Sequence, residues 1–178
     1  WVAKAAPDGY TIISVTPALT IIPAFYTENP PYDAARDLAP IAQMTKRGAF
    51  LLMPPSLGIK NFEEYMAYVR ANPGKINFGT SGAGTTSHLS AEMLKMQAQI
   101  ELLHVPYKGS AQALTDLTSG QLTMMFASQV SSLVKAGRLR AIAITSQKRS
   151  AMEPDLPTVA ESGLPGYESA VWFGLLAP

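Results

Sequence analysis

The densest chemistry in this sequence lies in ten residues, Gly79-Thr-Ser-Gly-Ala-Gly-Thr-Thr-Ser-His88, which interleave glycines with hydroxyl side chains and end on a histidine. A glycine-rich backbone can approach a ligand closely and turn its N–H groups towards it. A helix start immediately after it adds unpaired N–H donors at the positive end of the helix dipole. The natural guest of such a loop is an anion. Ser81, Thr85 and Thr86 add hydroxyls that can donate to carboxylate oxygens or hold bridging water, with no fixed charge to slow release. The same ten residues also suit a plain strand-to-helix turn in which Thr85 or Thr86 caps the helix. His88, in the first helical turn, suits a hydrogen-bonded structural role as well as the lining of a cleft.

Other chemistries fail on spacing. A phosphate-binding P-loop needs lysine after its second glycine, and here Gly84 is followed by Thr85. The glycines fall as G-x-x-G-x-G, not in the dinucleotide-binding order G-x-G-x-x-G. A nucleophile elbow around Ser81 would need glycine where Ala83 stands, a near miss that leaves a serine hydrolase as an alternative. Its base would have to be His88 or His104, the two histidines of the chain. Neither sits in a metal-ligand spacing, so no metal and no cofactor is expected. Three further segments follow predicted strands. His104-Val-Pro-Tyr-Lys-Gly109 offers Lys108 either as a cation at the cleft or as a solvated turn residue above Tyr107. Ala127-Ser128-Gln129 offers small polar groups or a helix cap, and Thr16-Pro17-Ala18-Leu19 offers a contact from across a cleft or a simple turn.

The elements that would position these residues follow from periodicity. Short apolar runs alternate with amphipathic stretches over residues 51–146, the rhythm of repeated β-α units. Strands are predicted near Phe50–Met53, Lys75–Thr80, Ile100–Val105, Leu122–Ala127 and Leu139–Thr145. A helix capped by Asn61 should bury Phe62, Tyr65, Met66 and Val69 and stop at Asn72-Pro73-Gly74. A second should open near Thr85 or Thr86 and bury Leu89, Met93 and Met96; a third should run from Ser110 to Gly120, and a short fourth over Val130–Ala136. The flanks have another texture: one strand, Thr11–Val15, a proline-rich stretch over Pro17–Pro40, and residues 149–178 with little periodicity. A lone apolar strand needs partners, so the flanks are expected to join in a second lobe. The chain would cross near Gln43–Gly48 and again near Thr145–Arg149, making a hinge and a cleft. The division is then residues 1–47 in lobe 1, 48–146 as a complete lobe 2, and 147–178 returning to lobe 1.

Composition narrows the function classes. The chain has 178 residues, 47% hydrophobic and 15% charged, with a net charge of +1 and no like-charge run. That fits a folded protein without the basic stripe of a nucleic-acid binder. Zero cysteines excludes disulfides and thiolate chemistry within these residues. No apolar run reaches the ~20 residues of a membrane span, and the start lacks a signal-peptide layout, so a soluble, already trimmed chain is expected. The eight methionines read as core filler.

Six segments in order resemble the Bug (TctC) family, the substrate-binding proteins of tripartite tricarboxylate transporters. They are Ala3-Lys-Ala-Ala-Pro-Asp-Gly-Tyr-Thr11, Pro31-Tyr-Asp33 with Arg36-Asp37, the loop Gly79–His88, Val105-Pro-Tyr-Lys-Gly109, Arg140-Ala-Ile-Ala-Ile-Thr145 and Pro157-Thr-Val-Ala-Glu-Ser-Gly-Leu-Pro-Gly-Tyr167. The resemblance implies an α/β periplasmic-binding-protein (Venus flytrap) fold, with one complete doubly wound lobe and parts of a second. It also implies a periplasmic location and delivery of a mono-, di- or tricarboxylate to a membrane permease, without catalysis. Carried over residue by residue, it points to Ser81, Gly82, Ala83, Gly84, Thr85 and His88, to Ala127 and Ser128, and across the cleft to Thr16 and Ala18. The family's opening strand and its following loop are missing before Trp1, as is the close of the first lobe after Pro178. Family members often carry an acidic residue where Ala127 stands, and its absence disfavours a ligand with an amino group. The expected partners are a small carboxylate and permease subunits, with no nucleic acid and no membrane insertion, for a monomer. A hydrolase using Ser81 and the effector-binding region of a transcription regulator are the alternatives, although no helix-turn-helix is visible.

Overall fold

The computed structural model describes residues 1–25, 32–128 and 131–178. Pro31, Gln129 and Val130 of the segments discussed above lie outside them. In chain order the elements are β1 (Ile13–Val15), α1 (Ala18–Ile21), α2 (Ala34–Asp37), β2 (Ala39–Gly48), β3 (Phe50–Met53), α3 (Phe62–Ala71) and β4 (Asn77–Thr80), then α4 (Thr86–Ala98), β5 (Leu103–Pro106), α5 (Ser110–Ser119), β6 (Met124–Ala127), α6 (Ser131–Lys135), β7 (Arg140–Ile144) and β8 (Ala170–Ala177). They build two sheets. The larger has the order β5-β4-β6-β3-β7 and the smaller β1-β8-β2. Strand β4 runs parallel to β5 and β6, whereas β3 is antiparallel to β6 and β7. The smaller sheet is antiparallel throughout.

The larger sheet is covered on both faces, which is why its strands read as continuous apolar runs. Leu51, Met53, Met124 and Phe126 pack with Phe62, Tyr65 and Leu94 on one side. Leu52 and Met125 point the other way, towards Ala113 and Leu117 of α5. Helix α3 forms as its sequence predicts: Asn61 accepts from Glu64 N–H at 2.9 Å, Glu64 accepts from Lys60 N–H at 2.8 Å, and Phe62, Tyr65, Met66 and Val69 are buried. Helix α5 ends at Gly120, whose φ of +82° is the left-handed stop that glycine supplies.

Helix α4 departs from expectation. Its buried residues are Ser90, Ala91, Leu94 and Ala98, while Leu89 and Met93 are half-buried and Met96 is 78% exposed. Small side chains fill this face because another part of the chain docks there: Tyr167 donates its hydroxyl to Ser90 C=O at 2.7 Å. Met44 and Met152 are likewise exposed, so the methionines divide between core and surface.

The flanks meet in the smaller sheet. The proline-containing stretch Ala39–Gly48 forms one of its edge strands, and Ala170–Ala177, apolar without alternation, is its central strand. Residues 147–169 stay with the larger sheet. Pro157–Val159 lies along the edge of β7, with Val159 N–H on Ile144 C=O at 2.9 Å, and Val159 and Tyr167 enter the larger core. Strand β2 passes into β3 through Gly48 and Ala49, and the return into β8 comes at Ser169–Ala170.

One buried hydroxyl ties this junction together. Thr145 Oγ1 accepts from Ala49 N–H at 2.8 Å and donates to Ser169 C=O at 2.5 Å, while Thr145 N–H donates to Ala49 C=O at 2.9 Å. Gly48 must be bare, since a Cβ would lie 2.7 Å from Ser146 N and 2.8 Å from Ile144 Cγ1. Thr145→Val keeps the shape but leaves a buried donor and acceptor unpaired. Urea denaturation should register a loss of about 1–3 kcal/mol, and a loss below about 0.5 kcal/mol would remove Thr145 from this role.

Candidate ligand-binding cleft

The cleft is built outward from the end of β4. Gly79 is set so tightly against Leu122 and Ala113 that a side chain there would strike Leu122. The loop beyond turns on Gly82 (φ +135°) and Gly84 (φ +75°), positions that residues with a Cβ rarely adopt. Hydroxyls and one imidazole then hold the turn from within. Ser81 N–H donates to Ser87 Oγ at 3.4 Å, Gly82 N–H to Thr80 Oγ1 at 3.3 Å and Gly84 N–H to His88 Nδ1 at 3.2 Å. Thr85 occupies the cap position of α4, but its hydroxyl donates to Gly82 C=O at 2.7 Å and does not cap the helix.

The amides of Ser81, Gly82 and Gly84, which the glycine loop was expected to offer to an anion, are therefore engaged within the loop. At the start of α4 stand the amides of Thr86, Ser87 and His88, which precede Leu89, the first N–H to bond a helical carbonyl, and receive no side-chain cap. Helix α4 is 13 residues long, so its positive end is fully developed at this point.

Thr85, Thr86 and Ser87 form one wall of a cleft of about 280 Å³ between the two sheets. Ser81 and Ser90 extend that wall, and Ser110, at the uncapped start of α5, stands beside it. The end of β6 contributes Met125, Phe126, Ala127 and Ser128. From the smaller sheet come Thr16 and Ala18, following β1, and Val171 and Phe173 of β8. Among the described residues eight hydroxyl side chains and no charged one line the space, so its polarity comes from neutral donors and helix ends.

Of the residues singled out from sequence, Ser81, Thr85, Thr86, Ala127, Ser128, Thr16 and Ala18 come together in this lining. Gly82, Ala83 and Gly84 are not part of it; they make the turn behind it. His88 also lies outside the lining, with its ring stacked on His104 at 4.1 Å between centroids. Lys108 does not reach the cleft either. Beneath it, Tyr107 donates to Asp116 at 2.7 Å, and that bond first, with burial second, pushes the phenol up to about 12. The reading of the sequence missed Ser87, Ser90, Ser110, Val171 and Phe173. Ser90 follows Thr86 by one helical turn, and Val171 and Phe173 share one face of a strand, so both signals were present once the elements were known.

Neither histidine is placed to activate Ser81. The Ser81 hydroxyl meets Ser87 Oγ at 3.5 Å, His88 Nδ1 is occupied by Gly84, and His104 Nε2 meets Thr80 Oγ1 at 2.7 Å. Burial, followed by the neighbouring His88, pushes the His104 imidazole below the usual histidine range. Among the described residues no group of three or more His, Asp or Glu could hold a metal ion, and no helix is long and apolar enough to cross a membrane.

Comparison with known proteins agrees with this architecture. A Pseudomonas protein from strain P51, the UPF0065 protein in the tcbD-tcbE intergenic region, is 38% identical over 99% of this chain and 53% of its own length. The Rhodopseudomonas palustris protein Rpa4515, solved with adipate, superimposes with a TM-score of 0.91 at 36% identity, covering 99% of this chain and 60% of that one. MatC of the same organism, solved with bound malate, gives 0.85 at 30% identity over 99% and 61%. The chain thus spans about half the length of the curated relatives it matches. The sequence profile of the tripartite tricarboxylate transporter family receptor matches residues 1–178, and the chain belongs to that family, TctC.

Proposed function

We propose that the whole protein is a periplasmic receptor that closes over a small carboxylate and presents it to a membrane permease, with no chemical step of its own. The observation that carries this reading is the cleft wall made by the first turn of α4. Three amides unpaired among the described residues and several hydroxyls converge there at the positive end of a helix, and no described cation lies in the lining. Such a wall holds a carboxylate oxygen by neutral hydrogen bonds of about 0.5–1.5 kcal/mol each, which permits release as well as capture. The adipate and malate bound by the two R. palustris relatives support a diacid of this size.

The proposed ligand contacts are Ser81, Thr85, Ala127 and Ser128 on the larger sheet and Thr16 and Ala18 on the smaller. Gly82, Ala83, Gly84 and His88 shape the loop behind them. The two lobes would divide near Gly48 and near Ser169, so that residues 147–169 go with the larger sheet and not with the smaller one as the sequence suggested; they would move as rigid bodies, and the protein would act as a monomer. The engagement of both histidines away from Ser81 supports binding over hydrolysis.

Adding millimolar adipate or malate to the full-length protein should raise its melting temperature while leaving the acid chemically intact. Turnover that disappears in Ser81→Ala would replace this reading with the hydrolase. Ala127→Asp places a carboxylate in the lining and should weaken diacid binding at least about tenfold by calorimetry, through like-charge repulsion in a partly desolvated site. Undiminished affinity in that variant would move the ligand elsewhere.

A further inference from the structure

We propose that His88 is the positioning residue of the cleft: its Nδ1 accepts from the Gly84 amide and pins it, so that carboxylate affinity depends on a hydrogen-bond acceptor at this position. The inference rests on the reading of the cleft as a carboxylate site.

Gly84 immediately precedes Thr85, the residue from which α4 begins, so its orientation sets the first turn of the helix. Its N–H donates to His88 Nδ1 at 3.2 Å, one helical turn further on. With Nδ1 as the acceptor, the ring proton sits on Nε2, which lies 3.9 Å from Glu92 Oε1.

The groups around the ring act in both directions. His104 of β5 stacks on it with an interplanar angle of 17°, and a charge on either ring opposes a charge on the other. Phe78 of β4 lies beyond His104, at 4.9 Å between centroids, and adds an apolar backing. On α4 itself Glu92 attracts an imidazolium, and Lys95, 2.8 Å from Glu92, offsets part of that attraction. His104 in turn holds the start of the same loop, since its Nε2 meets Thr80 Oγ1, and that hydroxyl bonds both Gly82 N–H and Gly82 C=O. Two stacked imidazoles thus support the two ends of one turn, and neither lines the cleft.

Calorimetry on the full-length protein with adipate and malate tests this in two variants. His88→Asn puts an amide oxygen near the position of Nδ1; His88→Phe keeps an aromatic ring without an acceptor. His88→Phe should bind about tenfold more weakly, while His88→Asn stays within about threefold of the unsubstituted protein. Unchanged affinity in His88→Phe, or a loss in His88→Asn as large as in His88→Phe, overturns the proposal.

The ligand-free Gly84 amide proton provides a readout independent of any carboxylate. It should move upfield in His88→Phe but not in His88→Asn. If neither acid binds, the carboxylate reading fails, and this resonance alone decides whether His88 holds the loop; no movement in His88→Phe overturns that hold as well.

Discussion

The antiparallel pairing of β2 with β8 is the constraint on which the cleft depends. It runs from Ala39 opposite Ala177 to Gly48 opposite Ala170, with register shifts between Pro40 and Ala42 and between Gln43 and Thr45, and it ends where both strands meet the larger sheet. Two extended strands side by side resist shear but accept a change of twist, so a relative motion of the sheets would concentrate at their shared end. Thr145 sits at that end and holds both passing strands through one hydroxyl. The same node is continuous with the cleft wall: Ser169 Oγ meets Ser90 Oγ at 2.6 Å, and Ser90 donates to Thr86 C=O at 2.8 Å. The crossing and the first turn of α4 are parts of one hydrogen-bonded unit.

The electrostatic character of the site follows from what that unit leaves unpaired. Inside the glycine loop, the side chains of Thr80, Ser87 and His88 compete for the amides and win them, because they are held within a few ångströms by the turn itself. The amides one step later have no such competitor. A helix end contributes roughly 0.3–1 kcal/mol towards an anion, and each neutral hydrogen bond a comparable amount. A guanidinium would bind more tightly through charge-assisted pairs, at the expense of fast release. A neutral wall suits a receptor that must give up its cargo.

The larger sheet was readable because its signals are local. Phe50–Met53 is an apolar run buried on both sides, α3 carries its own cap and stripe, and Gly120 ends α5 by conformation alone. The smaller sheet was not readable, because its order comes from partners distant in sequence. Strand β2 contains a proline and two basic residues and is exposed along most of its length; its pairing with β8 makes it a strand, not its propensity. Helix α4 misled for a related reason. Its large apolar residues face partly outward, while Ser90 and Ala91 accept the close approach of Tyr167, a contact that no helical periodicity encodes. The site divides in the same way. Ser81 and Ser128 stand at strand ends and Thr85 at a helix start, and they could be named from the sequence. The finding that the glycine amides are engaged and the helix amides are free required the geometry of individual hydrogen bonds.

The central claim is that a carboxylate is held by the first turn of α4, and amide chemical shifts of the isotope-labelled full-length protein test it most directly. On titration with adipate or malate, the amide protons of Thr86, Ser87 and His88 should move downfield together and saturate with the binding isotherm, as donors that gain an anionic acceptor. Saturable binding that leaves these three resonances in place would contradict the account.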